Sequence, residues 1–371
     1  TTRECKGLLI EDSRTNIFAS SDPANGVWIL NNGVLREGNT TETTAPDGTF
    51  TACKLMSAAS ANSYSQIYDG LSRYTGGVQS LWAKKGTHNV IGIFDYSGGS
   101  GIRGWFDVNT GEHRCEGGSK VAAGVQSNGN DTNNTNMVEY PNGWYRCIYY
   151  EAANMSYAHF RIVDFDSDNE ASASSNSIYL WGLQAEDNNV KFATSFIPCD
   201  TGLMPGTITR GTDFAKVEGE EFAEFYNNAT EHTTVMVGKR LGDTNTDGRL
   251  YTISNGTSSQ VAPDWDFNDD TKLRISSNVG GSSQMVQELN PFNERNDEFK
   301  IAAGMAVNNQ IGVVNGTAIA AADTSCLMPT GVDRLYFGLR GDEGNQGSLT
   351  IKRFMFYPKR LPDSQLVTLT S

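Results

Sequence analysis

Apolar and polar side chains alternate along this chain in short runs, and each run ends in residues that favour turns. Leu273 and Ile275, for example, alternate with Lys272 and Arg274. A period of two places successive side chains on opposite faces of a β-strand, whereas a helix repeats its apolar residues every three or four positions. The pattern therefore predicts an all-β fold of packed antiparallel sheets with almost no helix.

Asn-Gly pairs supply the left-handed backbone that two-residue hairpin turns require. The chain carries such pairs at Asn32-Gly33, Asn142-Gly143, Asn255-Gly256 and Asn315-Gly316. The last pair lies between two β-prone arms, so we expect a hairpin over residues 311–319.

The last strand-like run changes its parity part of the way along. Leu349 and Ile351 follow one parity, whereas Phe354 and Phe356 follow the other. A change of parity within one strand indicates a β-bulge or a bend at a sandwich edge.

The length of the chain, 371 residues, suits two β-sandwich domains better than one hydrophobic core. A stretch between Cys199 and Thr212 contains several glycines and Pro205, follows Pro198, and shows little periodicity, which favours a connector. We therefore assign two antiparallel β-sandwich domains in tandem, at residues 1–204 and 205–371. The chain begins at Thr1 without an initiator Met, so we expect a preceding segment to be missing from it.

Charge and hydropathy bear on the partners of the protein. The chain has 43 acidic and 29 basic residues and a net charge of −14, so its surface repels nucleic-acid phosphates and anionic lipids. No apolar stretch approaches the ~20 residues that a membrane-spanning helix needs. We expect neither nucleic acid nor a membrane as a partner.

The six cysteines are scattered along the chain, at Cys5, Cys53, Cys115, Cys147, Cys199 and Cys326. They form no C-x-x-C pair and have no His at ligand spacing, so the sequence gives no support for a zinc site or any other cofactor. A disulfide framework is one reading, but we favour buried free thiols, since bridge-dependent chains are usually small and rich in cysteine.

Two acidic loops are candidate cation sites. Asp243, Asn245 and Asp247 precede Gly248 in a D-x-N-x-D-G pattern typical of calcium loops, but Ser254 stands at the twelfth position, where that loop has Glu. We interpret this segment, and the acidic run over residues 164–170, as polar loops rather than metal sites.

Tryptophans are the candidate sugar-binding residues, because a flat aromatic face stacks on a pyranose ring. Trp82, Trp144 and Trp181 occupy strand-like positions and are expected in the core. Trp28, Trp105 and Trp265 lie beside turn-rich stretches, and we expect these three to be more exposed.

Catalytic signals are weak. His88, His113, His159 and His232 are far apart in the sequence, and none accompanies a nucleophile motif. A second set of candidates, Glu218, Glu220, Glu221 and Glu224, forms an acidic run that we interpret as a solvated face. The sequence therefore predicts a protein that is not an enzyme, with no catalytic or metal-binding residue to name.

A family resemblance rests on segments that occur in a fixed order. The opening Gly-Leu-Leu-Ile-Glu-Asp-Ser-Arg-Thr-Asn at residues 7–16 resembles the "GLLIE-x-x-RTN" signature of phage tail and virion proteins that carry a carbohydrate-binding-module-like jelly roll. Residues 45–49, 106–111, 142–147, 179–186, 192–198 and 208–213 fit the same pattern. The second half resembles a concanavalin A-like (laminin-G-like) sandwich through residues 248–257 and 351–361. This resemblance implies a short helical turn after the last strand, over residues 362–369.

The resemblance implies a structural and adhesive protein of the virion surface, such as a tail fibre, a head fibre or a capsid decoration. It implies contacts with other virion proteins and with host-surface glycans, and assembly as a homo-oligomer, above all a trimer. The alternative is a polysaccharide-degrading enzyme, a lyase or glycanase on the concanavalin A-like sandwich. Such an enzyme needs an open groove with two carboxylates roughly 5–10 Å apart.

Overall fold

A computed structural model of the chain describes residues 7–58, 64–69, 77–95, 102–116, 120, 122–123, 133–151, 158–167, 176–187, 192–200, 208–227, 229–241, 248–266, 269–289, 298–344 and 346–371. Within these ranges the strands follow one another as β1 (Leu8–Ile10), β2 (Arg14–Asn16), β3 (Ile29–Asn31), β4 (Leu35–Glu37), β5 (Cys53–Met56), β6 (Ser65–Tyr68), β7 (Gly77–Lys85), β8 (Val90–Asp95), β9 (Ile102–Asp107), β10 (His113–Cys115), β11 (Asn133–Tyr140), β12 (Trp144–Glu151), β13 (Ala158–Ile162), β14 (Ser177–Asp187), β15 (Ile208–Arg210), β16 (Ala215–Glu218), β17 (Glu231–Arg240), β18 (Tyr251–Ser254), β19 (Gln260–Asp266), β20 (Asp269–Val279), β21 (Ser282–Leu289), β22 (Glu298–Ala306), β23 (Ile311–Val314), β24 (Thr317–Ala318), β25 (Arg334–Phe337) and β26 (Leu349–Tyr357). Helical segments over the same ranges are a 3-10 turn (Pro141–Gly143), α1 (Gly219–Phe225) and α2 (Asp363–Thr370). The all-β fold class is confirmed.

The chain folds into two compact units. The amino-terminal unit is Arg14–Arg210, and the carboxy-terminal unit is Gly211–Ser371 together with the segment Thr1–Ser13. This division differs from the expected boundary between residues 204 and 205 at both ends of the first unit. Strand β1 pairs with β26 and so belongs to the second unit, and β15 pairs with β2 and so belongs to the first. The amino-terminal unit is therefore an insertion between β1 and β16, and the two units are not simply in tandem.

The amino-terminal unit is a β-sandwich of two antiparallel sheets. Across its described residues, sheet I has the order β11-β12-β7-β14-β2-β15, with β5 also pairing β14 and β4 pairing β5; sheet II has the order β10-β9-β8-β13-β6-β3. Side chains of alternate parity from both sheets fill one apolar core, which includes Leu81 and Leu180 of sheet I and Ile93 and Phe160 of sheet II, all fully buried. This is the period-two burial that the alternation predicts.

The carboxy-terminal unit is built in the same way. Over the part of the chain described, sheet III has the order β1-β26-β17-β22-β23-β24, and sheet IV has the order β16-β25-β18-β19-β20-β21. Leu273 and Ile275 of sheet IV meet Phe299 and Ile301 of sheet III in a shared core. Helix α2 packs through Leu366 on Val235 and neighbouring residues of sheet III, in a second apolar cluster.

Three of the four Asn-Gly pairs, at 142–143, 255–256 and 315–316, lie in hairpin connections of the described structure, and the pair at 315–316 forms the expected two-residue turn. β23 and β24 pair as Val314↔Thr317 around Asn315 and Gly316, whose φ values are 47° and 76°. The pair at 142–143 joins β11 to β12, so the hairpin is confirmed, but its turn has three residues, Pro141–Gly143. Residues 32–33 differ, because they link β3 of sheet II to β4 of sheet I and form no hairpin.

The parity change in β26 is a β-bulge. Val237 of β17 lies opposite Arg353, whereas the next residue, Gly238, lies opposite Ile351, so Lys352 is the additional residue. The bulge lets Leu349 and Ile351 before it, and Phe354 and Phe356 after it, reach the same core. Helix α2 follows at Asp363–Thr370, as the sequence predicts.

The cysteines at 53, 115, 147, 199 and 326 are buried free thiols, as expected, and Cys5 lies outside the described residues. Burial raises the pKa of the Cys53 thiol to about 12, so it stays protonated. None of the helices in the described ranges is long and apolar enough to cross a membrane.

Candidate glycan-binding cleft

Two of the three tryptophans expected at the surface are buried. Trp28 is 1% exposed and its ring lies 5.0 Å from that of Phe18, in the sandwich core. Trp105 is 4% exposed and its indole Nε1 donates to the carbonyl of Ser167 at 2.7 Å. The expectation that these two tryptophans are exposed was wrong. Turn residues beside a tryptophan do not reveal whether other segments of the chain cover its side chain. The third, Trp265, has its backbone in β19, and its side chain lies outside the described residues.

Trp82 and Trp144 are buried, as expected, with exposures of 3% and 0%, but in an apolar cluster separate from the sandwich core. Trp181, however, is only half-buried. It lies directly opposite Trp82 in the register of β14 and β7. Both rings lie on the face of sheet I that points away from the sandwich core, because their neighbours Leu180 and Ala83 face inward. This outer face therefore carries an aromatic cluster of its own.

A β-bulge in β14 positions Trp181. The pairing of β14 with β7 shifts between Trp181 and Gln184, and Gly182 within this bulge has a φ of +64°. A Cβ atom on Gly182 would lie 2.8 Å from the ring of Trp82, so only glycine allows the backbone to approach that ring. A bulge commonly redirects a side chain at the edge of a site.

Beside Trp181 the structure has a cleft of about 490 Å³, here called the aromatic cleft. Its aromatic floor consists of Trp181 and Phe196, whose ring centroids are 4.5 Å apart. The polar residues that line it are Ser21, Asp22, Asn39, Asp47, Thr51 and Asp200. A concave apolar surface with a few polar groups around it is typical of small-molecule and sugar sites.

The indole of Trp181 is held from two sides. Its Nε1 donates to the hydroxyl of Thr51 at 3.0 Å. The ring of Trp82 meets it edge to face at 5.2 Å. Trp82 is in turn covered by the guanidinium of Arg146, 4.5 Å from its ring centroid. The floor is therefore fixed before any ligand arrives.

A strap formed by residues 192–200 carries Phe196 across the outer face of sheet I. Glu186 anchors it, since one carboxylate oxygen accepts from the backbone N–H of Thr194 at 3.0 Å and the other from its hydroxyl at 2.8 Å. Gln184 accepts from the N–H of Ile197 at 2.7 Å. Glu186 is fully buried, and this burial raises the pKa of its carboxyl above the ordinary value.

The opposite wall of the cleft is the loop that leads into β5. Trp144 Nε1 donates to the carbonyl of Thr44 at 2.8 Å, and Tyr179 donates its hydroxyl to Glu42 at 2.5 Å. Burial and this bond to Glu42 raise the pKa of Tyr179 to about 12, so the phenol remains a donor at neutral pH. The loop is thus fixed to the same aromatic cluster that supports the floor.

The two acidic loops are described only in part. Residues 242–247, which include Asp243 and Asp247, lie outside the described residues. In the other loop, which is described as far as Ser167, Asp166 pairs with Arg114 at 3.0 Å. No group of three or more His, Cys, Asp or Glu side chains in the described ranges is placed to hold a metal ion.

The histidines lie in separate structural positions. His88 Nε2 contacts the carbonyl of Val163 at 2.7 Å, and His113 Nδ1 contacts Thr135 at 2.9 Å. His159 stacks on Tyr68, with ring centroids 5.0 Å apart. His232 is fully buried among aromatic rings. No two of these four share a site in the described structure.

Asp264, on the outer face of sheet IV, has a fully buried carboxylate. It forms an ion pair with Arg249 and accepts from Arg274 Nε at 2.8 Å. Two guanidinium groups thus occupy this carboxylate. The glutamates at 218, 220, 221 and 224 are exposed on and beside α1, as the sequence predicts.

No protein-family model matches the chain, and no curated protein matches it. The CBM40 module of the Ruminococcus gnavus IT-sialidase is similar in structure, with 17% identity and a TM-score of 0.37 over 43% of this chain and 92% of that chain. A SAP-like pentraxin from Limulus polyphemus has 12% identity and a TM-score of 0.30 over 38% and 70%. The homodimeric agglutinin CG-16 from chicken liver has 13% identity and a TM-score of 0.27 over 39% and 99%. Each likeness covers less than half of this chain and is one of β-sandwich, lectin-like folds.

Proposed function

We propose that this chain is a structural and adhesive protein of a virion surface, and that its amino-terminal unit binds a glycan in the aromatic cleft without chemically changing it. The observation that carries the binding role is the half-buried ring of Trp181, set beside Phe196 at the floor of a cleft with a polar rim. The virion role rests on the ordered sequence resemblance that begins at Gly7.

The chemistry of the cleft suits a pyranose. The apolar face of a sugar ring gains contact area and dispersion energy against an indole, and the hydroxyl groups at its edge need hydrogen-bond partners. Carboxylates at Asp22, Asp47 and Asp200 and the amide of Asn39 provide such partners around the floor. Because Trp181 is already fixed by Thr51 and Trp82, little side-chain entropy is lost on binding.

A glycan array probed with the full chain tests the binding role. We expect the full chain to bind a subset of glycans. The apparent affinity for these glycans should fall at least tenfold in Trp181→Ala and also in the more conservative variant Trp181→Phe. Phe214→Ala is the matched control, since Phe214 is a 57% exposed aromatic residue outside the cleft. Thermal unfolding of each variant shows whether the fold survives. Unchanged binding by a folded Trp181→Ala protein would refute the role of the cleft.

Two further measurements test the remaining parts of the proposal. Mass spectrometry and immunogold labelling of purified particles should find the chain at the virion surface, and light scattering should give a trimer of this 40.3 kDa chain. Incubation with bound polysaccharides should release no shorter products. Absence from the particles contradicts the virion role, and released oligosaccharides favour the lyase or glycanase alternative.

A further inference from the structure

We infer that the aromatic cleft selects uncharged glycans and rejects glycans that carry a sialic or uronic acid at the bound position. This inference rests on the proposed function and names the class of ligand. Three carboxylates line the cleft, at Asp22, Asp47 and Asp200, and no Lys or Arg is among the described residues that line it. The cleft therefore has a negative potential, in a chain of net charge −14.

The three carboxylates share one arrangement of hydrogen bonds. Each uses its Oδ1 atom to fix the local backbone or a neighbouring side chain. Asp22 accepts from the N–H of Ala24 at 2.8 Å, Asp47 from the N–H of Thr49 at 3.0 Å, and Asp200 from Asn25 Nδ2 at 2.8 Å. Each Oδ2 atom has no partner among the residues described here. Hydrogen bonds to Oδ1 thus hold each side chain in place, and its Oδ2 atom can accept a hydrogen bond from a ligand.

A carboxylate accepts hydrogen bonds and donates none. Sugar hydroxyls can donate to these oxygens, whereas the carboxylate of an acidic sugar cannot, and at a few ångströms it is repelled by them. The same rim that suits a neutral pyranose therefore weakens the binding of its acidic counterpart.

The basic side chains near the cleft interact with other groups of the protein. Arg36 Nη1 lies within hydrogen-bond distance of three backbone carbonyls, the nearest being that of Asn25 at 2.7 Å. Arg146 stacks over Trp82 and donates to Ser80 at 3.0 Å. Lys54 pairs with Glu42 at 2.6 Å. None of the three lines the cleft.

The test is an array on which each neutral oligosaccharide is printed beside its sialylated and its uronic-acid-containing counterpart, probed with the full chain at low and at high salt. We expect Trp181-dependent binding to the neutral members and binding at least tenfold weaker to the acidic members at low salt. Repulsion between exposed charges is screened by salt, so the difference should shrink at high salt.

The double variant of Asp22→Asn with Asp200→Asn removes two charges and keeps each Oδ1 acceptor. We expect it to reduce the discrimination between neutral and acidic members by severalfold. The control of Glu112→Gln with Glu139→Gln makes the same change in net charge at exposed positions outside the cleft, and it should leave the discrimination unchanged.

Trp181-dependent binding of acidic members that equals or exceeds that of the neutral ones overturns this inference and leaves the glycan-binding function standing. If the control double variant reduces the discrimination between neutral and acidic glycans as much as the double variant in the cleft does, the effect is one of overall charge, and this inference is also overturned. Absence of Trp181-dependent binding to every printed glycan refutes the proposed function, and this inference with it.

Discussion

Ile10 lies directly opposite Leu349 in sheet III, so a strand from the start of the chain completes the core built by its end. Ile10 is 1% exposed, and Gly338 makes room for it, since a Cβ there would lie 2.6 Å from its Cγ2 atom. The next residue is held by its backbone, because Glu11 N–H donates to Asp213 at 2.9 Å and its carbonyl accepts from Gln346 at 2.8 Å. The "GLLIE" segment is thus part of the carboxy-terminal unit.

Replacing Ile10 with Ala should destabilise the carboxy-terminal unit by about 2–5 kcal/mol, the usual cost of emptying a buried aliphatic site. Five of the six tryptophans lie in the amino-terminal unit, so fluorescence reports mainly on that unit. We expect circular dichroism to detect an earlier unfolding transition in urea while the fluorescence transition stays in place. Ile29→Ala, at a 43% exposed position, should shift neither. A shift confined to fluorescence would contradict the assignment of β1.

Replacing His232 with Phe should raise the free energy of unfolding at neutral pH by about 1 kcal/mol. Neither ring nitrogen of His232 has a hydrogen-bond partner among the described residues, and its ring stacks on Phe356 with centroids 5.5 Å apart. Phenylalanine would remove this unpaired polar group from an aromatic environment. Chemical denaturation at pH 7 measures the change.

The same variant should flatten the acid dependence of stability. Burial lowers the pKa of His232 from 6.5 to about 3. Between these values the unfolded chain holds a proton that the native residue does not, so stability falls as pH drops, by about 1.4 kcal/mol per pH unit. His159 lies in the amino-terminal unit, and its pKa, lowered to about 4 by burial and Arg161, gives that unit an acid dependence of its own.

Tyr226→Phe is the control for this pH dependence. Tyr226 lies 5.3 Å from His232 and also has a buried, unpartnered hydroxyl in the structure as described. Burial raises the pKa of this phenol to about 12, so it does not titrate in acid. The control should keep the full slope between pH 6 and 4. Loss of the slope in both variants, or in neither, would contradict the account.

Thr194→Val tests the strap that carries Phe196. The change removes the hydroxyl that donates to Glu186 at 2.8 Å and leaves that carboxylate oxygen without this donor, at a cost of about 1–3 kcal/mol. Glycan binding should weaken in parallel, because the strap forms one wall of the cleft. Thr194→Ser keeps the hydroxyl and should restore both properties; failure of the serine variant to do so would show that the methyl group matters instead.

Asp264→Asn should destabilise the carboxy-terminal unit by about 3–5 kcal/mol, since it leaves two guanidinium groups without their buried partner. Asp342→Asn is the comparison at the surface. Arg340 beside it lowers the pKa of Asp342 to about 2, but the pair is exposed and its loss should cost about 1 kcal/mol or less. Equal effects in denaturant titrations would show that Asp264 is not the centre of a buried network.

Sequence reasoning predicts the strands, the hairpin at Asn315 and the bulge in β26 because these follow from local periodicity and turn chemistry. It cannot show that β1 belongs to the carboxy-terminal unit, because the segment that begins with β1 resembles the start of the amino-terminal unit. Ile10 and Leu349 are far apart in the sequence, so no local pattern reveals that they pair. The hydropathy of residues 8–10 is that of any short strand and does not indicate which sheet the strand joins.

The same limit applies to the tryptophans. Trp28 and Trp105 are buried because other segments fold over them, and Trp181 borders a cleft because a bulge at Gly182 and the strap open one beside it. The one local signal in the sequence was the Trp-Gly step at 181–182, where glycine interrupts an otherwise regular strand.

The central claim is that the floor formed by Trp181 and Phe196 is a glycan site, and a crystal structure with the best-bound neutral oligosaccharide tests it most directly. We expect density for a pyranose ring stacked on Trp181 at about 4 Å, in van der Waals contact, with hydroxyls donating to the carboxylates at 22, 47 or 200. Density for the sugar elsewhere on the protein, with this cleft filled only by water, would contradict the claim.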